Sequence, residues 1–382
     1  MFMLGSKFNR NFWLAVFALV GTTIGAGIFS LPYAFFKSGF FIGFLELVIL
    51  TGVVLLIQLI VGEVALRTKG RKRLISYAEE YLGIRWKNAV TISVLLSGIG
   101  TLLVYIILGG RFLSVFIDTN PFWGSIVFFA LWFFMVLFKP RSFGKAEFFI
   151  GSFVLLIIVL ITLFNFGYIN LDNFKFEEMN VANVLLPYGI ILFAITGYSV
   201  IPEMEDILGK ERRKLRSAVI WGTLIPIIIY LIFIFTIVGI SGSLTSQDAI
   251  SGLARALNSK TILWVGSLLG FLAIIEAALS HGVYIKETIW YDLKANKWTA
   301  WVLTGLAPLV LFLLGARNFV TIIGLVGALF FGFHAVVILL IHKKAKTSPE
   351  KSAYEICLPA FAYYLIGLLV IFGALLEIWY VI

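Results

Sequence analysis

An all-helical protein that threads a membrane many times is what this sequence predicts, and three observations carry the prediction. Hydrophobic residues make up 61% of the 382-residue chain and charged residues only 13%, against about 45–50% and about 25% in soluble globular domains. Apolar runs of 18 residues or more recur along its length, and such runs match the thickness of the hydrocarbon layer. The Lys and Arg residues cluster between the runs, heavily in every second connection, which is the signature of a chain with cytoplasmic and external loops.

Hydropathy places eleven spans at 11–36, 40–66, 88–117, 122–138, 146–169, 184–208, 214–240, 261–286, 298–314, 319–341 and 358–381. An odd count puts the termini on opposite sides. With the N-terminus cytoplasmic and the C-terminus outside, 24 of the 30 basic residues fall on the inner side, as the positive-inside rule requires. The net charge of +10 is therefore loop asymmetry, and no nucleic-acid partner is expected. The lone Cys357 excludes a disulfide framework and a multi-cysteine metal site. His281, His334 and His342 lack close ligand spacing, so neither a metal nor a cofactor is expected. No small-residue cleavage site follows the mildly basic Met1–Asn11, so no signal peptide is expected.

Two connections carry more than turns. Leu74, Tyr77, Ala78, Tyr81 and Leu82 recur at helical spacing opposite Glu79, Glu80 and Arg85, which predicts a cytoplasmic amphipathic helix. Ile250, Leu253, Ala254 and Leu257 predict a second one outside, a lid over a vestibule or a packed surface helix.

The chemistry lies in two interrupted spans. Gly21-Thr22-Thr23-Ile24-Gly25-Ala26-Gly27-Ile28-Phe29-Ser30-Leu31-Pro32 sits inside the first apolar run. Glycine frees the backbone, and proline removes a donor and clashes with the preceding turn. Opened backbone in a membrane is tolerated only inside protein or against a wet cavity. Phe193-Ala194-Ile195-Thr196-Gly197-Tyr198-Ser199-Val200-Ile201-Pro202 interrupts the sixth span in the same way. If spans one to five and six to ten are two halves, covering 11–169 and 184–341, the breaks hold the same ordinal position in each. That pairing points to an inverted repeat with a ligand site at the midplane, and span 358–381 stands outside it.

A zwitterion suits such a site. The outer half of the first helix would begin near Gly25, Ala26 and Gly27, offering free N–H groups and a positive dipole end to a carboxylate. The carbonyls of Thr22, Thr23, Phe193, Ala194 and Thr196 would accept from an ammonium group. Gly197 completes the second break, and Ser97, Thr101 and Tyr198 are candidates for the side-chain pocket. No acid or base is assigned to that pocket, which favours a neutral ligand. Paired acids, nucleophile–base sets and metal clusters do not gather at one depth, so an enzyme is not expected.

Gly21 through Phe35 resembles the first-helix signature of the amino acid/auxin permease family and its bacterial aromatic amino acid permease branch. Phe193-Ala194 through Gly197, with Ile201-Pro202-Glu203, is similar to the sixth-helix signature of prokaryotic members. The resemblance implies a LeuT-type 5+5 inverted repeat with broken helices 1 and 6, alternating access, and a large apolar or aromatic amino acid as substrate, with the ammonium held by carbonyls at the matching positions. In that family an eighth-helix pair of hydroxyl residues holds sodium together with first-helix carbonyls. Here Glu276 and Ala277 stand in its place. Alanine removes a ligand, and a carboxylic acid can carry a proton where a hydroxyl cannot. Intramembrane acids cost roughly 2.5–3.5 kcal/mol to insert and mark ion or proton paths. Proton coupling through Glu276 is therefore expected. A sodium site shifted to Ser280, one turn on, and a non-transporting sensor of the same fold remain the alternatives.

Overall fold

The computed structural model describes residues 2–70, 72–138, 161–174 and 181–381. The first span is two helices, α1 (Phe2–Thr23) and α2 (Gly27–Ser38), bent by 59° where they meet. There follow α3 (Phe40–Arg67), the short α4 (Leu74–Leu82), α5 (Ile84–Phe116) and α6 (Pro121–Leu137). The sixth span is α7 (Val181–Ile195) and α8 (Ile201–Leu208), followed by α9 (Leu215–Ser241) and the short α10 (Ile250–Ala256). The rest is α11 (Lys260–Glu287), α12 (Lys297–Leu313), α13 (Phe319–Leu325), α14 (Phe331–Ala345) and α15 (Ala360–Val381).

By length and composition alone, six of these stretches can cross a bilayer, seven with the bent first pair, and α6 and α12 are shorter apolar helices. One stretch, Asn183–Leu244, contains both the sixth and seventh expected spans. It opens at Thr196–Gly197 and turns back at Gly209, whose φ is +53°. Every expected span except the fifth coincides with a helix. The fifth, 146–169, lies largely outside the described residues, as do the loop charges at 139–145 and Lys175, Glu177 and Glu178.

Small residues set the closest helix approaches, as expected where lipid supplies no hydrophobic drive between helices. α5 and α6 meet at Gly110 and Gly124, and a side chain on either would strike the other helix's backbone. α7 crosses α13 and the π-helical turn after it (Val326–Phe330) where Gly189 lies against Gly324 and Gly327. On α15, Phe361, Tyr364, Leu365, Leu368 and Phe372 are exposed, which leaves an apolar flank for lipid.

Both expected amphipathic helices are present. α4 buries Ile75, Tyr77 and Ala78, and α10 buries Ile250, Leu253 and Ala254. Beside α4, the chain between α14 and α15 folds back onto α3. There Glu63, fully buried, accepts from Arg67 (2.9 Å), His342 (3.0 Å) and the Ile356 N–H (2.6 Å). Arg67 continues to Glu355 (2.7 Å). Glu377 of α15 is 2% exposed, and Gly324 of α13 leaves room for its carboxyl.

Candidate functional site

Each break has a local cause. In the first, Ile24 still donates to the Val20 carbonyl (2.9 Å), but the helix does not resume until Gly27. Thr22 and Thr23 turn their hydroxyls back onto Ala18 and Leu19 (both 2.8 Å), closing α1 with side chains where the backbone stops. No side chain caps α2; of its first-turn N–H groups, which an α-helix leaves without an intrahelical partner, that of Phe29 turns to the Ala26 carbonyl (3.2 Å). In the second break, Thr196 returns its hydroxyl to the Leu192 carbonyl (2.5 Å). A single 3-10 turn, Tyr198–Val200, then bridges to α8.

The breaks face each other and touch. A Cβ on Gly27 would lie 2.5 Å from the Ala194 Cβ and 2.6 Å from its Cα, so glycine alone permits the crossing. Around them opens a cavity of about 980 Å³, at the upper end of the range for small-molecule sites. Its lining includes Thr22, Thr23, Gly25, Ala26 and Gly27 from the first break, and Phe193, Thr196 and Tyr198 from the second. α5 adds Ser97, Thr101 and Tyr105, and α11 adds Glu276, Ser280 and His281. Tyr105 approaches the first break, with its hydroxyl 3.9 Å from where a Gly25 Cβ would stand, and lies within electrostatic range of Glu276.

Two expected residues stand behind the lining. Ala194 is 1% exposed and packs on Gly27, while Gly197 is closed off by Leu19 and the Thr23 hydroxyl. The carbonyls of Thr23 and Ala194, expected to receive an ammonium group, share one competing donor. The Tyr230 hydroxyl of α9, fully buried, lies 2.8 Å from the first and 3.0 Å from the second. Gln58 of α3 reaches the adjacent Ile195 carbonyl (3.4 Å) and accepts from Thr223 of α9 (2.5 Å). Phe193, Thr196 and Thr22 are the residues of that carbonyl set left on the cavity without such a clamp among the described contacts.

Gln58 and Tyr230 were not evident from the sequence. Gln58 is a lone amide in an apolar run, a weak signal that reads equally well as helix packing. Tyr230 has no sequence signal, because its role depends on two carbonyls over thirty residues and two hundred residues away. The π-helical turn that brings Val326, Gly327 and Phe330 to the cavity was equally silent.

The cavity is open toward one end of the molecule. Its lining continues past Val200 and Tyr284 to Glu203 and Glu287, to Arg73 just before α4, and to Leu74 and Tyr77 of α4. Burial and the nearby Glu205 push the Tyr77 phenol above its ordinary value, so it stays neutral at this mouth. Glu205 pairs with Arg212 (3.2 Å). Toward the other end, Phe29 and Phe112 meet edge to face at 5.1 Å, and Arg111 pairs with Asp248 beside α10 (3.7 Å).

A helical membrane chain opened at corresponding points of its first and sixth spans, with a cavity between them, defines the LeuT-type transporter fold. Solved structures agree on the architecture. The chain superposes on MhsT, crystallised in complex with L-phenylalanine, with a TM-score of 0.69 at 11% identity, covering 96% of this chain and 98% of that one. For the Eremococcus coleocola manganese transporter bound to an aromatic bis-isothiourea compound the TM-score is 0.64 at 12% identity, covering 98% and 86%. The chain belongs to the tryptophan/tyrosine permease family, which matches it over residues 9–379. It is similar to glutamine transporter 2 of Aliivibrio fischeri, 23% identical over 390 residues that cover 96% of this chain and 99% of the relative. It is also similar to tyrosine-specific transport system 2 of Haemophilus influenzae, 25% identical over 346 residues and 84% of each chain. These matches establish the tryptophan/tyrosine permeases as the family; the wider amino acid/auxin grouping rests on the first-helix motif.

Proposed function

We propose that the protein is a secondary active transporter. It moves a neutral L-amino acid, aromatic or large and apolar, across the cytoplasmic membrane by alternating access. The observation that carries this reading is the cavity between two opened helices, lined by the free start of α2 on one side and by Phe193 and Thr196 on the other. The carboxylate binds at the N–H groups after Gly25, where the helix dipole favours an anion. The ammonium group binds to the unclamped carbonyls of Thr22, Phe193 and Thr196. Ser97, Thr101, Tyr105 and Tyr198 surround the side chain.

The two halves, 11–169 and 184–341, form the inverted repeat, and 358–381 is a peripheral helix. With the N-terminus cytoplasmic, the open mouth at α4 faces inward, and the Phe29–Phe112 side is the closed external gate. Glu276 carries the coupling proton. Its support is a position on the cavity wall within electrostatic range of Tyr105, whose hydroxyl approaches the first break.

The test is uptake of a labelled panel of tyrosine, tryptophan, phenylalanine and glutamine into proteoliposomes, with pH and sodium gradients imposed separately. Accumulation of an aromatic member under the pH gradient is expected, and its amide or ester derivative should not compete. Binding that survives blocking of the carboxylate would overturn the zwitterion site. Glu276→Gln should sharply reduce accumulation under the pH gradient; unchanged accumulation would remove Glu276 as carrier, and a sodium-driven response would move the ion to the region of Ser280.

A further inference from the structure

The second break ends in a hydrogen-bonded chain that the zwitterion reading leaves unused. Tyr198 lies in the 3-10 turn of the break, and its hydroxyl is 2.5 Å from Nδ1 of His334 on α14. On the other side of the ring, Nε2 is 3.0 Å from the Ser93 hydroxyl of α5. His334 is 3% exposed, yet it belongs to the cavity wall and stands just past the π-helical turn. Three elements therefore meet at one imidazole.

A neutral imidazole has one N–H and one lone pair, and a hydroxyl can donate or accept. The chain is satisfied when Tyr198 donates to Nδ1 and Nε2–H donates to Ser93, or with both bonds reversed. It stays satisfied only while Tyr198 is in place, and Tyr198 sits in the 3-10 turn of the break itself. Among the described residues no carboxylate bonds His334. The titratable groups around it are Tyr284 of α11, which interacts with Tyr198, and Arg73, whose guanidinium lies 5.0 Å from the Tyr284 ring. Tyr105, Glu203, Glu276 and His281 face the same cavity from α5, α8 and α11.

We propose that His334 is a proton-binding site of the transport cycle, gated by Tyr198. In the conformation described, both ring nitrogens are engaged and the imidazole, buried without a counter-ion, is neutral. When the sixth-span break carries Tyr198 away, Nδ1 faces cavity water, and in the tautomer with its hydrogen on Nε2 the Nδ1 lone pair takes a proton from hydronium, leaving water and an imidazolium. When the hydroxyl returns, that proton passes back to cavity water and the ring is neutral again. The site thus ties proton binding to the position of the second break, separately from Glu276 on α11. It rests on the transport reading above.

The experiment measures protons moved per amino acid in proteoliposomes, with internal pH dye and labelled tyrosine, for the wild type, His334→Gln and Ser93→Ala. A ratio is read, so slower turnover does not mask the result. In His334→Gln, which keeps a donor and an acceptor but binds no proton, the ratio should fall by about one proton per amino acid, since one imidazole binds one proton. Ser93→Ala, which removes only the Nε2 partner, should keep the ratio and shift the pH of half-maximal uptake. An unchanged ratio in His334→Gln overturns the proposal. If His334→Gln does not fold, an unshifted pH profile in Ser93→Ala overturns it instead. Wild-type uptake indifferent to a pH gradient overturns both proton sites and leaves the transporter standing, whereas a wild type that moves none of the panel overturns the transport reading itself.

Discussion

The two breaks look alike in sequence and are built differently in space. The first is open by composition: the ladder of α1 ends with the Ile24 N–H, and α2 restarts at Gly27 with no capping side chain. The second is held open from outside. Tyr230 takes the Ala194 carbonyl, Gln58 takes that of Ile195, and His334 holds the Tyr198 hydroxyl. The contrast fits a division of labour in which the first break presents donors to an anion and the second is braced by neighbours. Tyr230 also reaches Thr23, so one hydroxyl ties the braced break to the open one. A hydroxyl carries a single proton, and two carbonyls compete for it.

Breaking the contact between the two should have the largest effect. Gly27→Val places a branched side chain against the Ala194 backbone, and uptake should fall to background with the protein still in the membrane. Gly27→Ala should be milder, and Ala194→Gly should partly rescue it. A double-mutant cycle with no coupling energy would show that the crossing is not what Gly27 provides.

Removing the shared tie comes next. Tyr230→Phe removes the one donor that the Thr23 and Ala194 carbonyls share, at a cost of about 1–3 kcal/mol. The expected readout is a lower melting temperature in detergent together with slower exchange, because both breaks lose a constraint. Gln58→Leu touches only the second break and one hydroxyl of α9, so about 1 kcal/mol is expected. If Gln58→Leu costs as much as Tyr230→Phe, the shared tie is not special.

The smallest effect is expected far from both. Lys69 pairs with Glu350 at 2.9 Å on the surface near α4, and that hydrogen bond pushes the ammonium pKa upward. Being exposed, the pair is screened by solvent. Lys69→Ala should leave both transport and melting temperature within measurement error, and it serves as the baseline for the series.

Both breaks are legible in the sequence to the residue, because glycine, threonine and proline gathered inside a membrane span do not suit a continuous helix. The same letters do not separate the opened carbonyls that remain available from those already taken. Thr23 and Ala194 look as exposed in sequence as Thr22 and Thr196, and only the approach of Tyr230 distinguishes them. Tyr198 was recognisable as a pocket residue, but its partnership with His334 spans 136 positions, and no local pattern encodes that distance.

What the sequence alone determined is what the solvent imposes one residue at a time. Hydrocarbon demands apolar runs of membrane length, forces backbone polar groups to pair within them, and makes every exception conspicuous. The membrane class, the helical spans and the two interruptions follow from that demand. The tertiary structure decided which exceptions meet: that Gly27 crosses Ala194, that a tyrosine hydroxyl from α9 stands between two of the freed carbonyls, and that His334 answers Tyr198. Those pairings depend on how helices distant in sequence pack against one another, and packing depends on shape in three dimensions, which composition and spacing along one chain do not carry.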